Sequence, residues 1–176
     1  MTSNKSCIID DIISIIDFNA PVRDIRQGLF HTAVMTRHCG LAATLPRDAL
    51  RQAHPAVKEP GLLMEKSARE LAVMVHSESI PEAAIGMATV NSLLDIDESM
   101  CRELNAREIL IEKGRDKNVA MIGHFPFIDV LRKQVKQIWV IEKNQNDDDL
   151  PESAAAQYLP EADVVAMTGT SFTNHT

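Results

Sequence analysis

Long uninterrupted apolar runs are missing from this chain of 176 residues. Its most isoleucine-rich stretch, Cys7 to Phe18, is cut by Asp10, Asp11 and Asp17, so it reads as neither a signal-peptide core nor a membrane span. No membrane insertion is expected, and the expected location is the cytoplasm. Positive charge is also scarce: 18 Lys and Arg against 25 Asp and Glu leave a net charge of −7, and the basic residues are scattered. Nucleic acid is therefore excluded as an expected partner, because phosphate backbones are held by clustered cations. Cysteines number three, Cys7, Cys39 and Cys101, widely spaced and without a CxxC pair. That pattern fits reduced thiols rather than a disulfide framework. The eight methionines, spread along the chain, read as core filler.

Familiar catalytic signatures are missing too. There is no GxSxG, no HExxH, and no kinase or P-loop pattern, which excludes the common hydrolases and phosphotransferases. A G-x-G-x-x-G turn, which lets backbone approach a pyrophosphate, is not found either; Gly123 stands alone, followed by His124, Phe125 and Pro126. Ordinary NAD binding is disfavoured.

Three short apolar runs that break abruptly are present: Asn118 to Phe127, Gln137 to Lys143 and Ala162 to Asn174. Buried parallel strands look this way where they end at a site. With helices expected around Ile128 to Val135 and Glu152 to Tyr158, the order is β-α-β-α-β, half of a doubly wound sheet. The expected class is α/β, with a partial Rossmann-like parallel sheet following an α+β module.

That first module opens with a helical-period stripe of isoleucines from Ile8 to Ile16 and continues as a small antiparallel meander over Val22 to Leu45. Arg47 to Gly61, with three nearby prolines, reads as a loop. Met64, Ala68, Leu71, Ala72 and Val75 then recur at helical spacing. A further helix starts near Ile80, where Ser79 and Glu82 have capping-box spacing and Pro81 falls in the first turn. Inside it, Gly86 implies a close backbone neighbour, and Asn91 implies either a helix-to-loop hydrogen bond or a cleft-lining amide. The polar stretch Asp95 to Asn105 marks the boundary, giving residues 1–97 and 98–176. Asn105, Glu108 and Gly114 bracket a short helix over Ala106 to Lys113.

Ligands of open α/β sheets bind beyond the carboxyl ends of the strands. His124, after a strand-end glycine, is a candidate metal ligand or acid/base near neutral pH. Glu142 stands where a ribose hydroxyl is held in many Rossmann-like proteins, keeping a nucleotide-like or adenosyl-type ligand in view. Thr168, Gly169 and Thr170 form a turn suited to anions, with Asn174 nearby. His31, His38 and Cys39 form a second candidate metal set across the meander. Asp147 to Asp149 read as a solvated loop.

In combination, GHFPF (Gly123 to Phe127), the strand ending IEK (Ile141 to Lys143), LPEADVVAMTGTSFTN (Leu159 to Asn174) and SIPEAAIGMATVN (Ser79 to Asn91) resemble the putative heavy-metal chelation domain family. The resemblance covers about Val22 to Thr176. It implies an enolase-N-terminal-like module before a Rossmann-like one, with a site for a small molecule, metal ion or metal chelate in a cleft between them. The alternative is an enzyme using an adenosyl- or nucleotide-like cofactor. The resemblance also implies a glycine where this chain has His175, and further sheet beyond Thr176. A half-sheet would expose strand edges, so a homo-oligomer is expected.

Overall fold

The computed structural model describes residues 8–45, 57–146 and 148–175. The chain forms two compact units, one running to Ile96 and including Phe172–His175, the other Asp97–Ser171. The α/β class is as expected: an antiparallel sheet lies in the first unit and a parallel sheet in the second.

In the first unit, α1 (Ile8–Ile15) only partly buries its stripe, with Ile9 in the core and Ile8 and Ile15 exposed. Strands β1 (Asp24–Gln27), β2 (His31–Met35) and β3 (Cys39–Ala43) form the meander in that order. Their register, with Ile25 opposite Val34 and Val34 opposite Gly40, gives the sheet one face turned inward. There Val34 and Ala42 pack against Leu71, Ala84, Ile85 and Ala88. Most of the stretch read as a loop, residues 46–56, lies outside the described residues.

The stripe from Met64 to Val75 is not one helix. It is a 3-10 turn over Pro60–Glu65, then α2 (Ala68–Val73), then a second 3-10 turn over Met74–His76. The break follows from Ser67, whose side chain accepts from Glu70 N while Glu70 Oε2 accepts from Ser67 N, a complete capping box that starts α2 afresh.

The helix α3 (Ile80–Leu93) is enclosed by its own unit. A Cβ placed on Gly86 would lie 2.0 Å from Val75 N, and one on Gly40 would lie 2.0 Å from the Ala88 carbonyl oxygen. Both glycines are there because backbone passes against backbone. Asn91 Nδ2 donates to the Leu41 carbonyl at 2.8 Å, tying helix to strand. The capping box expected at Ser79 and Glu82 does not form. Ser79 caps nothing, and Glu82 reaches instead to Lys58 N at 2.8 Å and to the Ser77 hydroxyl. Two donors from outside the helix outcompeted the local one.

In the second unit, α4 (Ala106–Gly114) begins where Asn105 accepts from Arg107 N at 2.9 Å. Then come β4 (Asn118–Ile122), α5 (Ile128–Arg132), β5 (Gln137–Ile141), α6 (Ala155–Tyr158) and β6 (Val164–Met167), and the chain closes with α7 (Ser171–Asn174), of which only Ser171 groups with this unit. The parallel sheet has the order β5-β4-β6, with Val119 opposite both Ile138 and Val164. Val119, Met121, Ile138 and Val140 turn one face towards Ile128 and Leu131 of α5. Trp139, on the alternate face, meets Tyr158 of α6 at 5.2 Å between ring centroids. The two crossovers therefore cover opposite faces of the sheet. No helix among the described residues is long and apolar enough to cross a membrane.

Candidate functional site

A chain that leaves β4 towards β5 and returns past it to β6 makes a switch in strand order between β4 and β6, where the turns after both strands face each other. Gly123 sits in the first turn with φ +92°, a conformation that side-chain-bearing residues rarely adopt. Its N–H donates to the Ile141 carbonyl at 2.9 Å, and a Cβ there would lie 2.5 Å from Thr168 Cγ2. Glycine is thus required twice at this position, for the backbone angle and for the approach of the second turn.

The second turn is held by the same ladder. Thr168 N donates to the Ile122 carbonyl at 3.0 Å, and Ser171 N to the Thr168 carbonyl at 3.1 Å. The Thr168 and Thr170 hydroxyl oxygens lie 3.1 Å apart, and Gly169 between them has nothing within 4 Å of where a Cβ would be. The Ser171 hydroxyl is buried and has no hydrogen-bond partner among the described residues.

His124 follows directly. Its side chain is 48% exposed, while Nδ1 lies 3.5 Å from Oδ2 of Asp149, whose side chain is only 3% exposed. The same Asp149 oxygen accepts from Asn146 N at 2.9 Å. The two groups stand at ion-pair distance with no hydrogen bond between them, so the carboxylate favours a proton on Nδ1 by its charge while the ring is half in solvent. Phe125 and Phe127 lie 5.5 Å apart and pack on the core of the sheet, so they brace the turn from beneath. Pro126 between them is exposed.

Glu142 ends β5. Its N–H donates to the Leu150 carbonyl, while its Oε1 accepts from Lys143 N at 2.8 Å and Asn144 N at 3.3 Å. One carboxylate oxygen is therefore spent on its own turn. Asn174 belongs with the first unit by its contacts, and so does Asn91, whose amide is the helix-to-strand tie described above.

Asp149 is the residue that the sequence concealed, because it closes an acidic run that reads as solvated. The cause lies in the pairing of Leu150 beside it. Leu150 N donates to the Val140 carbonyl at 2.7 Å and forms a parallel bridge with Ile141, so the chain returns to the strand and carries Asp149 inward.

The structure places the three candidates on the meander apart from one another as a set. His31 is opposite Ala43 at one end of the β2–β3 pair, whereas Cys39 is opposite Met35 at the other, beside His38. His38 Nε2 is 3.0 Å from Asp95 Oδ1, in a cluster where Arg37 also meets Asp95 and Asp17. Asp95 is held below the usual carboxylate range, first by the His38 hydrogen bond, against some desolvation, and further by Arg37. Among the described residues no three His, Cys, Asp or Glu side chains come together as a metal-binding group.

At position 175 the backbone has φ +55°, the left-handed region in which a glycine costs least. His175 keeps that conformation, with its Nε2–H donating to the Ser77 carbonyl at 2.9 Å.

Comparison with known proteins bears on the whole chain. Two crystal structures of proteins of unknown function share its fold. One, from Desulfitobacterium hafniense DCB-2, has 22% identity and a TM-score of 0.78, over 96% of this chain and 70% of that one. The other, from Pyrococcus horikoshii, has 21% identity and a TM-score of 0.70, over 96% and 69%. Both come from a family whose sequence model matches residues 105–176 here. No curated protein matches. A second model matches residues 9–94, and both models carry the description "Putative heavy-metal chelation". Matched in both its units, the chain belongs to the putative heavy-metal chelation family.

Proposed function

We propose that this protein binds a small metal chelate at the carboxyl ends of β4 and β6, with His124 contributing an imidazole to the metal. The observation that carries this reading is the pair formed by half-exposed His124 and buried Asp149 next to a glycine turn in a rare backbone conformation. A carboxylate 3.5 Å from Nδ1 favours the proton there by its charge and leaves Nε2 to donate to a metal. With one imidazole offered and no three-ligand group among the described residues, the metal would arrive carrying ligands of its own. That is cargo recognition, and it accords with the family's description. The open backbone at Gly169 and the hydroxyls of Thr168 and Thr170 then suit the anionic groups of a chelator. The adenosyl-cofactor reading draws less support, because Glu142 Oε1 already caps its own turn.

The test is calorimetric titration of the untagged full chain with copper(II) iminodiacetate, a chelate with a coordination position left open. His124→Ala should weaken binding about tenfold to hundredfold, and Asp149→Asn about tenfold or more, through the proton it favours on Nδ1. His31→Ala should leave binding unchanged. Full affinity in His124→Ala, or loss of binding in His31→Ala, overturns the reading.

A further inference from the structure

The first unit carries a cleft of about 520 Å³, a size suited to a small organic molecule. It lies between the segment at Lys58 and Glu59 and helix α2, with Glu82 on its wall. Its acids are already engaged. Glu70 is spent in the capping box with Ser67, Glu59 pairs with Lys66 at 3.5 Å, and Glu82, 5% exposed, holds Lys58 N and the Ser77 hydroxyl.

Two of its cations are not engaged in this way. Arg69 has its guanidinium carbon 5.3 Å from the centre of the Phe18 ring and makes no ion pair or hydrogen bond among the described residues. The Lys58 ammonium makes none there either. A guanidinium held over an aromatic ring by cation–π attraction is partly positioned before any ligand arrives, and its N–H donors suit a planar, two-oxygen acceptor. Beside it, Val73 and Met74 give the cleft an apolar side.

We infer that this cleft binds a small monocarboxylate, with the carboxylate on Arg69 and Lys58 and a short apolar body against Val73 and Met74. Charge balance decides the class. Lys58, Lys66 and Arg69 are matched in number by Glu59, Glu70 and Glu82, so a polyanion such as pyrophosphate would meet three carboxylates with no excess of cations. One carboxylate fits the two donors left over. This inference stands apart from the chelate reading, since all its residues belong to the first unit.

The experiment is a titration of the full chain with hexanoate, followed by amide chemical shifts in two-dimensional NMR, with inorganic phosphate and pyrophosphate as parallel arms. Saturable one-to-one binding of hexanoate is expected, with shifts at Lys58, Arg69 and Met74. Arg69→Gln should weaken it about tenfold, the loss of a charge-assisted fork, and Arg69→Lys should restore only part. Lys143→Gln, in the other unit, should have no effect. The inference fails if hexanoate does not saturate, if Arg69→Gln binds like the parent chain, or if the phosphates bind as well as hexanoate.

Discussion

Gly123→Ala is the sharpest test of how the two strand-end turns are built. The added methyl carbon meets two separate costs. Holding a non-glycine residue at φ +92° costs about 1–3 kcal/mol. Placing the carbon 2.5 Å from Thr168 Cγ2 forces one turn away from the other, at about 1–3 kcal/mol more. The second cost can be lifted independently, because Thr168→Ser deletes the clashing methyl and keeps the hydroxyl that faces Thr170. A double-mutant cycle should therefore show a favourable coupling of about 1–3 kcal/mol, with the backbone share left in the double variant. Urea unfolding followed by tryptophan emission reads this directly, since the single tryptophan, Trp139, lies opposite Ala120 in the same sheet. A Gly123→Ala chain within about 0.5 kcal/mol of the parent would refute the reasoning, since changes that small are typical of unremarkable surface sites. So would a Thr168→Ser change that relieves none of the loss.

Two further outcomes follow from the first unit. Ser67→Ala should cost about 1 kcal/mol of stability near neutral pH through loss of the α2 cap. Glu70 is held below the usual range, first by the Ser67 hydroxyl, so its contribution is present above the unfolded-state value and lost as pH falls through the folded one. The gap between parent and Ser67→Ala in thermal melts should accordingly narrow in acid; a gap that widens there would contradict the pairing. Gly86→Ala should destabilise by about 2 kcal/mol or more, despite the roughly 1 kcal/mol that alanine normally gains in a helix, because its methyl would meet the backbone at Val75. Denaturant unfolding followed by far-ultraviolet circular dichroism checks this, and a stabilised variant would disprove the close approach.

The parallel sheet was legible because buried parallel strands need no alternation: NVAMI, QIWVI and VVAM read as apolar runs with punctuation at their ends. The same punctuation pointed to Gly123, His124 and Thr168, since a glycine or threonine directly after such a run marks where the chain turns. Other features depended on distant chain. Ser67 with Glu70 and Ser79 with Glu82 have the same spacing, yet only the first pair closes a box, because Lys58 N and Ser77 draw Glu82 elsewhere. Asp149 is buried by a strand pairing one residue later, which composition does not reveal. His31 and Cys39 share a hairpin in sequence, and only the register shows that they stand at opposite ends.

The enclosure of α3 has a consequence in time as well as in space. Eleven of its fourteen residues, from Ile80 to Leu93, are buried, and backbone presses on it at Gly86 and from Gly40. Such a helix offers no loose edge from which to fray while its unit stays folded. Its central amides should exchange with deuterated solvent only when the whole first unit opens, whereas those of α1, anchored through Ile9, should exchange early. The slowest-exchanging protons of that unit would then report its global stability, and a ligand held there would slow them all by one common factor.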